Sequence, residues 1–103
     1  MTALSRLAAT IQSRKDADPE SSWTAKLFVI CFEKCAEKFG EEAVEAIIEE
    51  VKGDRDKLTS EAADVLYHLL VMLAARDVTL DQVLVELERR EGTSGIAEKA
   101  ARG

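Results

Sequence analysis

Histidine and cysteine are scarce in this sequence, and the 14 basic residues are outnumbered by 20 acidic ones. Each of these features argues against a class of function. One histidine, His68, and two cysteines, Cys31 and Cys35, cannot make a Cys/His zinc site without carboxylates. A di-iron bundle is disfavoured because it needs a Glu-x-x-His motif on each of two helices. The formal net charge of −6 argues against nucleic acid as a partner, since that surface needs a basic stripe. Cys31 and Cys35 are four residues apart, a spacing that does not favour a disulfide within a helix, so we expect small core residues in a reducing compartment.

Long apolar runs are also missing. No apolar run approaches the roughly 20 residues that a membrane-spanning helix needs, and the first residues show no signal-peptide pattern. We therefore expect a soluble cytoplasmic protein with no membrane partner. A chain of 103 residues favours a single domain with a modest core, which in turn favours shared burial in an oligomer.

Apolar residues recur with a helical period along most of the chain, and no strand pattern interrupts them. The sequence predicts an all-α fold, a small four-helix-type bundle formed by residues 1–90 and completed by dimerisation, with a mobile tail at 91–103. The predicted helices are residues 3–14, 25–51, 54 or 55 to 76, and 79–90. The core stripe predicted for the long second helix is Phe28, Phe32, Cys35, Phe39, Ala43 and Ala46 or Ile47.

The predicted third helix carries a polar seam on an otherwise apolar surface. Between residues 62 and 75 only Asp64, Tyr67 and His68 carry polar groups, and Glu61 precedes Asp64 by three positions. A buried carboxylate is usually paired, neutralised or bound to a metal. Taken alone, Asp64 could pair with a basic side chain, and His68 could form a hydrogen bond inside the core.

The predicted second helix supplies matching carboxylates, with Glu42 and Glu45 three residues apart and Glu41 beside them. Alone, such residues usually form a solvated surface. Two helices joined by a short turn would instead lie antiparallel and bring four acids together: Glu42, Glu45, Glu61 and Asp64. Because like charges at close range raise one another's pKa values, the group needs a cation. All-oxygen ligands suit Mg²⁺, or Mn²⁺, and Mg²⁺ held this way commonly binds substrate phosphates.

The motifs "EEAVE" (41–45) and "EAAD" (61–64) resemble the Glu-Glu-x-x-Glu and Glu-x-x-Asp signature of the all-α nucleotide pyrophosphohydrolases. "KFGEEAVEAIIE", "LTSEAADVLYHLLVML" and the tail "SGIAEKAAR" are similar to one branch, the phosphoribosyl-ATP pyrophosphohydrolases. The resemblance implies Mg²⁺-dependent hydrolysis of phosphoribosyl-ATP to phosphoribosyl-AMP and pyrophosphate, in histidine biosynthesis, by a cytoplasmic homodimer.

The resemblance also implies roles for individual residues. Glu42, Glu45, Glu61 and Asp64 would hold the metal, and the catalytic candidates are Glu41, Glu45 and His68. Glu41 would act as an outer carboxylate or position water. The candidates for substrate phosphate are Lys34 and Lys38, followed by Arg14, Arg89, Lys99 and Arg102. The base that activates water stays unassigned.

The run "LFVICF" (27–32) departs from the family, which commonly has a glycine-containing pair near its end. Without Gly or Pro, the helix is expected to extend back toward Thr24. Phe28, Val29 and Ile30 then form a candidate partner surface, covered by a second subunit or the N-terminal helix, or else binding something outside the family's repertoire. Two other functions stay open: a helical scaffold with a binding surface at 27–32, natural or engineered, and a house-cleaning nucleoside triphosphate pyrophosphohydrolase.

Overall fold

The computed structural model describes residues 2–30 and 32–92, without the side chains of Val29 and Ile30, and this part of the chain contains helices and no strand. The helices are α1 (Ala3–Ser13), α2 (Trp23–Ile30), α3 (Phe32–Lys52), α4 (Arg55–Ala75) and α5 (Leu80–Arg89), with a short 3-10 turn at Arg14–Asp16 after α1. The predicted all-α class is confirmed, and α1, α4 and α5 lie within one or two residues of the predicted bounds.

Local signals set the helix ends. The Asp54 side chain accepts a hydrogen bond from the Lys57 backbone N–H (3.0 Å) at the start of α4. Thr79 and Gln82 form the predicted capping box of α5. Gly53 follows α3 with a φ of 76°, where a residue with a side chain would be strained. Gly53 and Asp54 therefore turn the chain back within two residues, and α4 packs along α3.

The prediction of one helix over residues 25–51 is wrong. The Cys35 Sγ donates a hydrogen bond to the Leu27 carbonyl oxygen at 3.6 Å. A straight α-helix rises about 12 Å over eight residues, so these two groups could not meet in it. The chain therefore bends between Leu27 and Cys35 and forms two helices, α2 and α3. Cys31 lies outside the described residues.

The core lies where α1, α2 and α3 meet the second half of α4. Its buried apolar residues are Ile11, Leu27, Cys35, Leu70, Val71 and Ala74. Leu27, the first residue of "LFVICF", is fully buried, and Phe28 is half-buried against the same cluster. Cys35 is buried in this core, as expected.

Two residues named in the predicted core stripe are exposed: Phe32, and Ile47, which the prediction gave as the alternative to the half-buried Ala46. Phe32 is 51% exposed, and its ring lies 4.0 Å from the Arg76 guanidinium carbon, a cation–π contact on the surface. Ile47 is 61% exposed because it lies on the side of α3 that no other described helix covers. The bend after Leu27 explains part of this error. The helical period was applied to one straight helix, and it does not continue in phase when the chain forms two helices at an angle.

A continuous set of large apolar side chains remains exposed on this single chain. We call it the apolar face, and its residues on α3 and α4 are Val44, Ile47, Ile48, Val51 and Leu66. The last helix, α5, adds exposed Leu84, Val85 and Leu87 and has no buried residue. Only the start of α5 contacts the core, through the half-buried Leu80, and the apolar side of the rest of the helix is left in water.

One described helix, α4, is by length and composition apolar enough to cross a membrane. The observation is weak, because the core helix of a soluble protein passes the same test. In addition, α4 carries Glu61, Asp64 and His68, whose polar groups would need partners inside a bilayer.

Candidate metal centre

Three of the four predicted metal ligands meet between α3 and α4. One carboxylate oxygen each from Glu42, Glu45 and Glu61 lies within 4.8 Å of the other two. We call these three residues the carboxylate cluster. Glu42 and Glu45 share a side of α3 because they are three residues apart, and the turn at 53–54 brings Glu61 of α4 beside them.

The acids of the cluster hinder one another's ionisation. Burial raises the pKa of Glu42, and so do a hydrogen bond from Glu45 and the charge of Glu45. Glu61 has its pKa raised by the same causes in the same order. In addition, its Oε2 atom is buried with no hydrogen-bond partner. An unsatisfied oxygen among crowded acids fits a divalent cation, which would both neutralise and coordinate the group.

Asp64 lies one turn after Glu61 on α4, outside the three-residue cluster. Its side chain is exposed, and its charge contributes to the raised pKa values of Glu42 and Glu61. The charge of Asp64 therefore acts on the carboxylate cluster, but its carboxylate lies at the rim of the cluster and not among the three whose oxygens meet.

Lysines border the carboxylate cluster on α3. Lys38 Nζ lies 3.0 Å from Glu41 Oε2, and this hydrogen-bonded ion pair raises the pKa of Lys38 and lowers that of Glu41. The charges of Glu42 and Glu45 raise the Lys38 pKa further. Lys34 forms a longer pair, 3.5 Å, with Glu37. Glu41 thus pairs with a lysine beside the cluster, and Lys38 places a positive charge near the acids.

His68 is a buried polar group facing the same region. It is 7% exposed, and its Nδ1 atom has no hydrogen-bond partner. Burial lowers the pKa of His68, as does the charge of Lys38, while the charges of Asp64 and Glu41 oppose this shift. The imidazole is therefore held mainly neutral near pH 7, with one nitrogen available to a ligand.

The comparisons with known proteins agree with this geometry. The sequence profile of the family described as "Phosphoribosyl-ATP pyrophosphohydrolase" matches residues 4–91. The chain belongs to this family. Relatives named phosphoribosyl-ATP pyrophosphatase are 80% identical in Rhodobacter capsulatus and 78% in Cereibacter sphaeroides ATCC 17025, covering all of both chains. In Dinoroseobacter shibae the identity is 78% over 99% of this chain and the whole relative.

Family membership confirms the resemblance drawn from "EEAVE" and "EAAD" and the hydrolase class that it implied. The remaining phosphate candidates lie elsewhere. On α5, Arg89 pairs with Glu86 through two hydrogen bonds, of 3.0 and 2.6 Å. Arg14 follows α1. Lys99 and Arg102 fall outside the described residues.

Glu49 is an acid that the sequence did not single out. It follows Glu45 by one helical turn, is only 9% exposed, and has a buried Oε2 atom with no hydrogen-bond partner. In the sequence it looked like part of the solvated "EE" pair with Glu50. The available signal was its i+4 spacing from Glu45, which places it on the side of the carboxylate cluster.

Proposed function

We propose that this chain hydrolyses phosphoribosyl-ATP to phosphoribosyl-AMP and pyrophosphate in histidine biosynthesis, using a divalent cation at the carboxylate cluster. The observation that carries the proposal is the meeting of Glu42, Glu45 and Glu61 within 4.8 Å, in a chain whose full-length relatives carry the pyrophosphatase name. The proposed substrate and products are those implied by the name of these relatives.

The cation of the proposal is Mg²⁺, with Mn²⁺ as a substitute. Glu42, Glu45 and Glu61 would hold it, and Asp64 would approach from the rim. When bound, Mg²⁺ supplies positive charge that offsets the charge of the substrate phosphates and of the leaving pyrophosphate. The buried, unpartnered Oε2 of Glu61 supports this fit, since hard cations bind oxygen ligands.

The remaining residues act on the substrate. Lys38, and Lys34 one turn earlier, are proposed to bind the phosphates as positive charges beside the acids. Glu41, the partner of Lys38, would orient that lysine or position water. His68 would donate or accept a hydrogen bond through its free nitrogen. Further phosphate contacts are proposed for Arg89, Lys99 and Arg102.

The working protein is proposed to be a cytoplasmic homodimer, soluble, with residues 1–90 as one domain and 91–103 as a tail. The apolar face supports this, because a second copy would cover side chains such as Ile47 and Val51 that the single chain leaves in water. Burying one of them contributes roughly 1.5–3 kcal/mol. Val29 and Ile30 belong to the same proposal as candidate partner contacts.

Pyrophosphate release from phosphoribosyl-ATP tests the proposal. We expect release with Mg²⁺, none with EDTA, and a large loss in Glu45→Gln and Asp64→Asn. Glu50→Gln, an exposed acid of α3, is the matched control and should keep wild-type activity. Absence of release from the folded, Mg²⁺-loaded protein would contradict the proposal, and faster release from ordinary nucleoside triphosphates would favour the house-cleaning alternative.

A further inference from the structure

Glu49 lies in the last turn of α3, where backbone hydrogen bonds connect it to the turn at Gly53 and Asp54. Its carbonyl oxygen accepts hydrogen bonds from the backbone N–H groups of Gly53 (3.0 Å) and Asp54 (3.3 Å). These bonds fix the position of the residue at the closed end of the α3–α4 hairpin. The side chain leaves this point on the same side of α3 as Glu45, four residues earlier.

The contacts of the buried Glu49 carboxylate leave one of its two oxygens without a hydrogen bond. Lys52 Nζ lies 3.7 Å from Oε1, beyond hydrogen-bond distance, and the Lys52 side chain is mostly exposed. The other oxygen, Oε2, is buried and has no partner. A buried oxygen without a hydrogen-bond partner costs free energy, and a bound cation would satisfy it.

The unpartnered oxygens of Glu49 and Glu61 belong to facing helices. Glu49 follows Glu45 by one helical turn on α3, and α3 packs along α4, the helix that carries Glu61. Glu61 is a member of the carboxylate cluster, and its own Oε2 is also buried and unpartnered. Two such oxygens on neighbouring acids indicate that the site extends from the cluster toward the hairpin turn.

We propose that Glu49 is a further carboxylate ligand of the divalent cation at this site, acting with Glu45 and Glu61. The inference rests on the proposed metal site and deepens it. The site then comprises oxygens from three successive turns of α3, at Glu42, Glu45 and Glu49, facing Glu61 on α4. The competing explanation is that Glu49 only pairs with Lys52 and has no contact with the cation.

Direct binding of Mn²⁺ to the full chain separates these explanations without using activity. Free Mn²⁺ can be followed by electron paramagnetic resonance during titration of wild type, Glu49→Gln, Glu45→Gln and Glu50→Gln. Glu49→Gln keeps the size of the side chain and removes its charge. Glu50→Gln removes the same charge from the adjacent, exposed position.

We expect Glu49→Gln to bind Mn²⁺ at least about 10-fold more weakly, the smallest loss typical for groups supporting a metal site. Glu50→Gln should bind like wild type, and Glu45→Gln should bind poorly. If Glu49→Gln matches wild type while Glu45→Gln binds poorly, the Glu49 proposal is overturned and the cluster stands. If wild type itself binds no Mn²⁺, the proposed metal site and the Glu49 ligand both fall.

Thermal unfolding gives a second measurement on the same proteins. The melting temperature without added metal should rise in Glu49→Gln, because an amide costs less free energy to bury than a carboxylate. The increase that saturating Mn²⁺ produces in wild type should shrink in Glu49→Gln and persist in Glu50→Gln. An undiminished increase in Glu49→Gln would overturn the proposal. Lys52→Gln should keep the full increase in melting temperature with Mn²⁺. Loss of that increase in Lys52→Gln would favour the ion-pair explanation instead.

Discussion

Lys15 Nζ lies 2.5 Å from Asp77 Oδ1, and the same ammonium group donates a hydrogen bond to the Ala74 carbonyl oxygen at 2.9 Å. Ala74 lies in the last turn of α4, and its carbonyl oxygen also accepts a hydrogen bond from the Asp77 backbone N–H at 3.0 Å. Lys15 therefore caps α4 from the segment after α1 and neutralises Asp77. It connects the N-terminal part of the chain to the helix that carries Glu61 and His68.

Lys15→Met should destabilise the chain by about 1 kcal/mol, since the lost contacts are partly exposed and surface ion pairs contribute little. Urea unfolding measures this change. Lys26→Met is the matched control, because Lys26 is exposed on α2, and it should change the free energy of unfolding by no more than about 0.5 kcal/mol. Equal effects from both substitutions would contradict a capping role for Lys15.

Thr24 and Tyr67 form the second connection, a hydroxyl–hydroxyl hydrogen bond between α2 and α4. Tyr67→Phe should cost about 1–3 kcal/mol, because the Thr24 hydroxyl is buried and loses its partner. Thr24→Val should cost a similar amount. In a double-mutant cycle measured by urea unfolding, the combined variant should cost clearly less than the sum of the two. Additive costs would show that the hydroxyls do not interact.

The raised pKa values of Glu42 and Glu61 predict a pH effect on the protein in EDTA. An acid whose pKa is raised by folding stabilises the fold below its unfolded value, 4.5, and this contribution is lost as pH rises through the folded value. Wild type should therefore lose more thermal stability between pH 5 and neutrality than Glu45→Gln, in which the main repelling charge is gone. Melting temperatures at the two pH values measure the difference.

His68 acts in the opposite direction in the same pH range, because its pKa is lowered and its contribution to stability grows as pH rises. It is present in both proteins, so the comparison between them largely removes its effect. Glu50→Gln is the control and should follow wild type. A profile for Glu45→Gln as steep as that of wild type would argue against repulsion within the carboxylate cluster.

A charge placed on the apolar face should separate the proposed dimer. We expect Ile47→Lys to shift the sedimenting species from dimer to monomer, because burying the ammonium in the interface would cost several kcal/mol. Glu20→Lys introduces the same side chain at an exposed position between α1 and α2, outside the apolar face, and should remain dimeric. Analytical ultracentrifugation over a concentration range makes the comparison. A wild-type protein that stays monomeric throughout would refute the dimer.

Sequence periodicity and capping signals were enough to predict the α3–α4 hairpin and its acids. Gly53 and Asp54 mark the turn locally, and the i, i+3 spacing of Glu42 and Glu45 is a property of any helix. The i, i+3 spacing of Glu61 and Asp64 likewise predicted that these two acids share one side of α4. These features depend on neighbouring residues in the chain, which the sequence displays directly.

The features that the sequence did not predict depend on contacts between distant residues. The bend after Leu27 exists because Leu27 and Cys35 both enter one core, and no Gly or Pro marks it. Phe32 lies on the surface, where its ring contacts Arg76, the residue just after α4. Glu49 could not be distinguished from Glu50 by composition, because only the packing of α4 against α3 buries one and not the other.

The two-residue turn at Gly53 and Asp54 also has a consequence for how the site forms. Its opposing acids, Glu45 and Glu61, are only 16 positions apart in the sequence, so little chain entropy is lost in bringing them together. The centre can consequently assemble early in folding, before α1 is in place. A divalent cation bound by acids of both helices would then stabilise the hairpin during folding. The rate of folding should therefore rise with the concentration of the cation.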